Sequence, residues 1–162
     1  MEMINNKRII IVGAGGSGKD YLKQKFIDKG YKPSVAHTSR EPRQGEEFGV
    51  DYFFVIKEKF EDYIKKGDFF EYKVYNGWYY GTSNIEFYNS EIFIMTPAAI
   101  EELSLDIRRT SMVIYLDIPK DIRKSRLLNR NDADSVDRRL QTDSEDFNDF
   151  KDYDIRITNC DF

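Results

Sequence analysis

Apolar residues recur along this chain in two alternating rhythms. Short apolar runs occupy positions 7–12 (continuous over Ile9, Ile10, Ile11 and Val12), 92–95 and 112–116, and a last strand is expected over 155–157. Runs of this length, rich in β-branched residues and bounded by turn residues, predict strands buried on both faces. Between them the spacing turns helical. Tyr21, Leu22, Lys25 and Phe26 form a stripe over 20–29 that ends at Gly30, and Phe60, Tyr63 and Ile64 form one over 57–66 closed by Gly67. Pro97 opens a short helix over 97–103, 120–129 turns Ile122, Leu127 and Leu128 toward a core, and 136–147 follows a polar break at 131–135. Residues 69–74 and 78–81 predict a hairpin through Tyr75, Asn76 and Gly77. Residues 33–36 read as a short strand or connector, 52–56 as a strand, and 84–90 as barely helical.

Strands alternating with helices predict an α/β fold, a parallel sheet with helices on both faces. A ligand is then expected beyond the C-terminal ends of the strands. The stretch 37–82 breaks the alternation and reads as a small inserted subdomain. Its first part, 37–52, is polar, rich in turn residues and long for a plain connection, which marks a functional or disordered loop.

The 162 residues suit one domain with a substantial core, and the net charge of −4 argues against a protein that coats nucleic acid. One cysteine, Cys160, has neither a disulfide partner nor metal-ligand spacing, which favours a reducing compartment. The apolar runs are too short to span a bilayer, and no leader pattern precedes Ile9. A cytoplasmic protein without a membrane association is expected, as monomer or homodimer. The eleven Tyr and twelve Phe crowd the region between Phe48 and Tyr88, where they serve mainly to bulk out a small polar subdomain.

Candidate chemistry begins directly after the first strand. Gly13, Ala14, Gly15, Gly16, Ser17, Gly18 and Lys19 fit the pattern G-x-x-x-x-G-K between a strand and a helix. Glycines let successive backbone N–H groups turn inward onto phosphate oxygens, and the following helix adds its positive end. Lys19 would reach the outer phosphates. The hydroxyl residue expected next, a Mg²⁺ ligand in this motif, is replaced by Asp20. Asp20 is therefore a candidate metal ligand, or simply a carboxylate favoured by a helix N-terminus.

A second constellation follows. Thr38, Arg40, Arg43, Gly45, Glu46, Gly49, Asp51 and Tyr52, then Glu71, then Tyr79, Tyr80, Gly81 and Thr82, together resemble the guanylate kinase family. The pattern T-[ST]-R-x-P-R-x-G-E-x-x-G-x-D-Y is matched at every fixed position from Thr38 to Tyr52. The likeness is dense over residues 8–82 and looser afterward. It implies a P-loop kinase fold with a core (1–36, 83–128 and 148–162), an NMP-binding subdomain (37–82) and a short lid (129–147). It further implies an enzyme that phosphorylates a nucleoside monophosphate, GMP or dGMP first of all, with ATP and Mg²⁺. ATP would bind residues 13–19 with Asp20 and Asn159. The acceptor would be held by Thr38, Arg40, Arg43, Tyr52 and Tyr80, and its base read by Glu71 and Thr82. Arg130 and Arg139 would fold over the phosphates beside Lys19, with Arg126 and Arg138 as further candidates. His37, the one histidine, is a structural loop residue, since phosphoryl transfer needs positioning and charge neutralisation more than a base.

Several departures bear on specificity. The base-contacting serine of the family is Ala36 here, and the acids expected near Ile94 and Thr96 are missing. Two other readings follow: a kinase for a different or modified deoxynucleotide, and a guanylate kinase-like module that binds without catalysing. The intact Gly13–Lys19 loop argues against the second.

Overall fold

The structure, a computed structural model, describes residues 8–75, 77–130 and 135–162. Lys7, Asn76 and 131–134, which carry one strand start, one turn residue and most of the polar break expected from sequence, lie outside the described residues. The chain divides into two compact units. One takes the described residues of Met1–Lys32 and Ile92–Phe162, the other Pro33–Glu91.

The first unit is built on a four-stranded parallel sheet. Its strands are β1 (Arg8–Gly13), β6 (Ile92–Ile94), β7 (Ser111–Leu116) and β8 (Ile155–Ile157), in the order β6-β1-β7-β8. The central strand β1 pairs Ile9 with Ile92 on one side and Met112 on the other. Ile10, Ile11 and Val12 are completely buried, which is why the run is apolar without alternation. At the sheet edge β8 is largely exposed, and its sequence turns polar at Arg156. Helices α1 (Lys19–Asp28), α4 (Pro97–Glu101), α5 (Leu105–Arg109), α6 (Lys120–Leu128) and α7 (Val136–Phe147) complete the unit. None of the described helices is long and apolar enough to cross a membrane.

The second unit holds β2 (His37–Thr38), β3 (Phe53–Phe54), β4 (Phe69–Tyr75) and β5 (Trp78–Ser83) in the order β3-β2-β5-β4, with α2 (Lys57–Lys65) and α3 (Asn84–Asn89). Its core is aromatic. Phe60 is fully buried between the stacked rings of Phe69 and Tyr79, at 4.3 and 5.0 Å. His37 packs among Phe53, Tyr63 and Phe69. Burial lowers its pKa, opposed only in part by Glu86, so the ring is neutral at physiological pH and serves as a packing element.

Two local expectations are corrected, and one helix stands where the sequence pattern predicts none. Residues 84–89 form a true helix, because Ser83 Oγ caps it through the Glu86 N–H and Phe87 is fully buried against Phe70, rings 3.5 Å apart. Helix α5 buries no side chain, so no apolar stripe announces it; Ser104 caps it, and Arg108 ties it to Asp152 and Asp154. Leu128 is 63% exposed, and Leu127 alone takes the core position at the end of α6.

Candidate active site

The loop from Gly13 to Lys19 leaves the C-terminal end of β1, where the fold class places ligands. Its glycines are there for close packing as much as for flexibility. A Cβ on Gly16, whose φ is +77°, would lie 2.7 Å from the Arg123 carbonyl oxygen; one on Gly13 would lie 2.5 Å from Ser17 Oγ. Lys19 folds back over the loop, and its Nζ donates to the carbonyls of Gly13 (2.7 Å) and Ala14 (3.1 Å). Burial pushes the ammonium pKa down from 10.5 to about 8, while Asp20 and Asp143 hold it up and Arg130 and Arg139 press it lower. Those two arginines therefore lie within electrostatic reach of Lys19, Arg139 half-buried on α7 and Arg130 exposed.

Beside the loop, Tyr21, Arg126 and Phe162 help to line a cavity of about 620 Å³. Arg126 is fixed there, donating to the carbonyls of Gly16 (3.0 Å) and Cys160 (3.2 Å). Asn159 sits exposed after β8, its side chain accepting from the Asp161 N–H.

In the second unit, strand pairing gathers a different set. Thr38 faces Tyr80 across β2 and β5, while Lys73 faces Tyr80 and Glu71 faces Thr82 across β4 and β5. Directly opposed residues point to the same side of a sheet, so Thr38, Glu71, Tyr80 and Thr82 share one face. Thr82 donates to Glu71 Oε1 twice, from its N–H (3.1 Å) and its hydroxyl (2.7 Å). Arg40, only 9% exposed, forms a fork with Glu46: Nη1 to Oε2 and Nη2 to Oε1, both 3.0 Å. Its Nε is buried without a hydrogen-bond partner, and its guanidinium lies over the Tyr52 ring at 5.5 Å. Burial alone would raise the Glu46 pKa, but the Arg40 hydrogen bond and the Arg43 N–H hold it below the ordinary carboxylate value. A carboxylate thus aims one guanidinium and one backbone segment of the arginine loop.

The comparisons with known proteins decide the family. The family model described as guanylate kinase matches residues 5–162. The chain belongs to the guanylate kinase family. It is 32% identical to a guanylate kinase of Vibrio vulnificus (strain YJ016), over 94% of this chain and 80% of that one. A guanylate kinase of Legionella pneumophila (strain Paris) is 33% identical, over 98% and 81% respectively. The crystal structure of guanylate kinase from Anaplasma phagocytophilum superposes with a TM-score of 0.69 at 19% identity, covering 96% of this chain and 78% of that chain, which shows the shared fold.

Against the family pattern, some expected residues sit differently than their sequence suggests. Thr38 is completely buried, its hydroxyl donating to the Tyr79 carbonyl (2.9 Å) and accepting from the Arg40 N–H (3.2 Å). It supports Arg40 from beneath, out of reach of a ligand. The Thr82 hydroxyl, expected on the base, donates to Glu71. Three residues were missed from sequence. Glu46 was visible only as a motif position, with no sign that it aims Arg40. Phe162 gives no local pattern at all. Asp143 looks like one more solvated acid of a polar helix until Leu140 and Phe147 on either side of it are seen to be packed.

Proposed function

We propose that this chain transfers the terminal phosphoryl group of ATP to GMP or dGMP. An oxygen of the acceptor phosphate attacks the γ-phosphorus, the bond to the β,γ-bridging oxygen breaks, and ADP leaves with (d)GDP as the second product. The observation that carries this reading is the shared face of the small sheet. There a carboxylate pinned by Thr82 supplies an acceptor for a base, and a buried guanidinium aimed by Glu46, within interaction reach of Tyr80 on that face, supplies an anchor for a phosphate. Lys19 and the backbone N–H groups of the Gly13–Lys19 loop hold the ATP phosphates, Arg130 and Arg139 add positive charge, and the cavity beside Tyr21, Arg126 and Phe162 takes the adenosine. No general base is needed, because an in-line transfer between phosphates rests on positioning and charge neutralisation.

A coupled assay of ADP formation against a panel of monophosphates tests the reading. GMP and dGMP are expected to stimulate ADP release above AMP, CMP and UMP; no stimulation by any of them would end the kinase proposal.

Arg40→Ala and Arg43→Ala are each expected to raise the KM for GMP and lower kcat. The loss of a charge-assisted contact is about 1.5–3 kcal/mol, or roughly ten- to a hundredfold in kcat/KM. The KM for ATP is expected to stay near the parent value. Equal losses for both substrates would contradict the assignment of these arginines to the acceptor.

For Mg²⁺, the chemistry of the donors fits. Asp20 is an exposed carboxylate one residue beyond Lys19 and close enough to act on its proton affinity. Among the described residues no group of three or more His, Cys, Asp or Glu forms a self-sufficient metal cage. Mg²⁺ does not require one, since it keeps several waters and takes one or two carboxylates along with substrate phosphates. When bound it would neutralise phosphate charge, with Asp20 as its protein anchor. Asp20→Ala is expected to raise the Mg²⁺ concentration for half-maximal rate, and to weaken Mg²⁺-dependent ATP binding in calorimetry. An unchanged Mg²⁺ dependence would leave Asp20 as a helix-terminal charge only.

A further inference from the structure

The phosphate loop of this structure already carries an anionic oxygen, and it belongs to the chain itself. Asp143 Oδ2 lies 2.9 Å from the Gly15 N–H, one of the loop's backbone donors. The same oxygen stands 3.8 Å from Arg123 Nη1, and both side chains are only 12% exposed. The carboxylate also lies within electrostatic reach of the Lys19 ammonium, which Arg130 and Arg139 reach as well.

The local fold explains why a charge sits there. Leu140, Asp143 and Phe147 follow the i, i+3, i+7 spacing of the inward stripe of α7. Leu140 is buried, and Phe147 stacks on Tyr115 with ring centroids 5.4 Å apart. Two apolar anchors thus hold an aspartate between them and aim it at the loop. In an amphipathic helix that position would ordinarily be apolar.

We propose that Asp143 is a built-in surrogate for a nucleotide phosphate. In the nucleotide-free protein it occupies the Gly15 N–H, and ATP binds only as this carboxylate gives way. A phosphate oxygen arriving at Gly15 meets both a donor already engaged and a like charge. The apparent affinity for ATP is therefore lowered by the fraction of molecules in which Asp143 holds the loop. This inference rests on the reading of Gly13–Lys19 as the phosphate site of ATP.

Calorimetric titration of the full chain and of its Asp143→Ala and Asp143→Asn variants with ATP, inorganic triphosphate and adenosine tests it. Asp143→Ala is expected to tighten ATP and triphosphate by about three- to thirtyfold, the range of a displaced charge-assisted hydrogen bond. Asp143→Asn, which keeps the shape and an accepting oxygen without the charge, should gain less. Adenosine should bind all three proteins alike. Should the alanine variant fail to fold, the asparagine variant carries the same comparison. Unchanged or weaker ATP binding in the variants overturns the inference and makes Asp143 a structural clamp of the loop. A gain shared by adenosine also overturns it, as a general loosening. A parent chain that binds no ATP overturns the phosphate-site reading, and this inference with it.

Discussion

Lys19→Ala is expected to fold normally and to lose turnover by about 10²–10³-fold, the cost of removing one preorganised charge from a developing phosphoryl transition state. Folding should survive because the lysine is a burden on the free protein. Its pKa falls from 10.5 to about 8 on folding, with burial as the main cause. Between those values the unfolded chain binds more protons than the folded one. Stability from this group therefore rises with pH across that window and is at its least below pH 8. At neutral pH the buried ammonium is thus a cost, and its two carbonyl contacts only partly offset it. Thermal unfolding at neutral pH should show no large loss for the alanine variant.

The same shift gives a pH signature. As pH rises through about 8, free Lys19 loses its proton, and ATP, which favours the charged form, binds more weakly or takes up a proton on binding. Lys19→Arg, with a guanidinium that stays charged, is expected to flatten this dependence while keeping measurable ATP binding. Parent-like activity in Lys19→Ala, or an ATP affinity that is flat in pH for the parent, would contradict the role given to this residue.

How much of this was legible beforehand depends on what kind of signal each element leaves. Strands β1, β6 and β7 were plain because burial on both faces forces continuous apolar runs. Helix α5 was invisible because it buries nothing and is held by Arg108 across more than forty positions of chain, to Asp152 and Asp154. Helix α3 was underestimated because its stability comes from one cap and one aromatic stack, not from a periodic stripe. In the site, residue types in a dense motif pointed to the arginines and to Glu71, but not to the contacts among them. A sequence shows that Thr38 and Thr82 carry hydroxyls. Only the pairing of β2, β4 and β5 shows that one is spent beneath Arg40 and the other on Glu71. Asp143 was overlooked for a related reason: one acid in a polar helix looks solvated until the neighbouring stripe residues, Leu140 and Phe147, are seen to be packed.

Glu71 is where specificity should be decided. The Thr82 N–H and hydroxyl both bond Oε1, so that oxygen is held in place before any base arrives. Guanine offers its ring N–H and exocyclic amino group side by side, both donors, to such an acceptor. Adenine presents a ring lone pair where guanine has its N–H, and a carboxylate facing a lone pair loses its hydrogen bond and gains repulsion. Sites built on hydrogen bonds of this kind reject the wrong partner by up to about 10⁴-fold. Two polar contacts that the family pattern supplies are altered here. Ala36 has no side-chain hydroxyl, and the Thr82 hydroxyl is committed to Glu71. The preference for GMP over AMP is therefore expected to fall below that ceiling and to leave room for a guanine altered at its carbonyl edge. Glu71→Gln keeps the shape but turns half of the acceptor into a donor. It should cut kcat/KM for GMP by about 10²-fold or more, narrow the gap to AMP, and leave ATP binding near that of the parent. Thr82→Val, which removes the hydroxyl tether and keeps the N–H, should cost GMP less than Glu71→Gln does. If adenine or pyrimidine monophosphates outperform both GMP and dGMP in the parent, Glu71 does not read guanine, although phosphoryl transfer through the Gly13–Lys19 loop would stand.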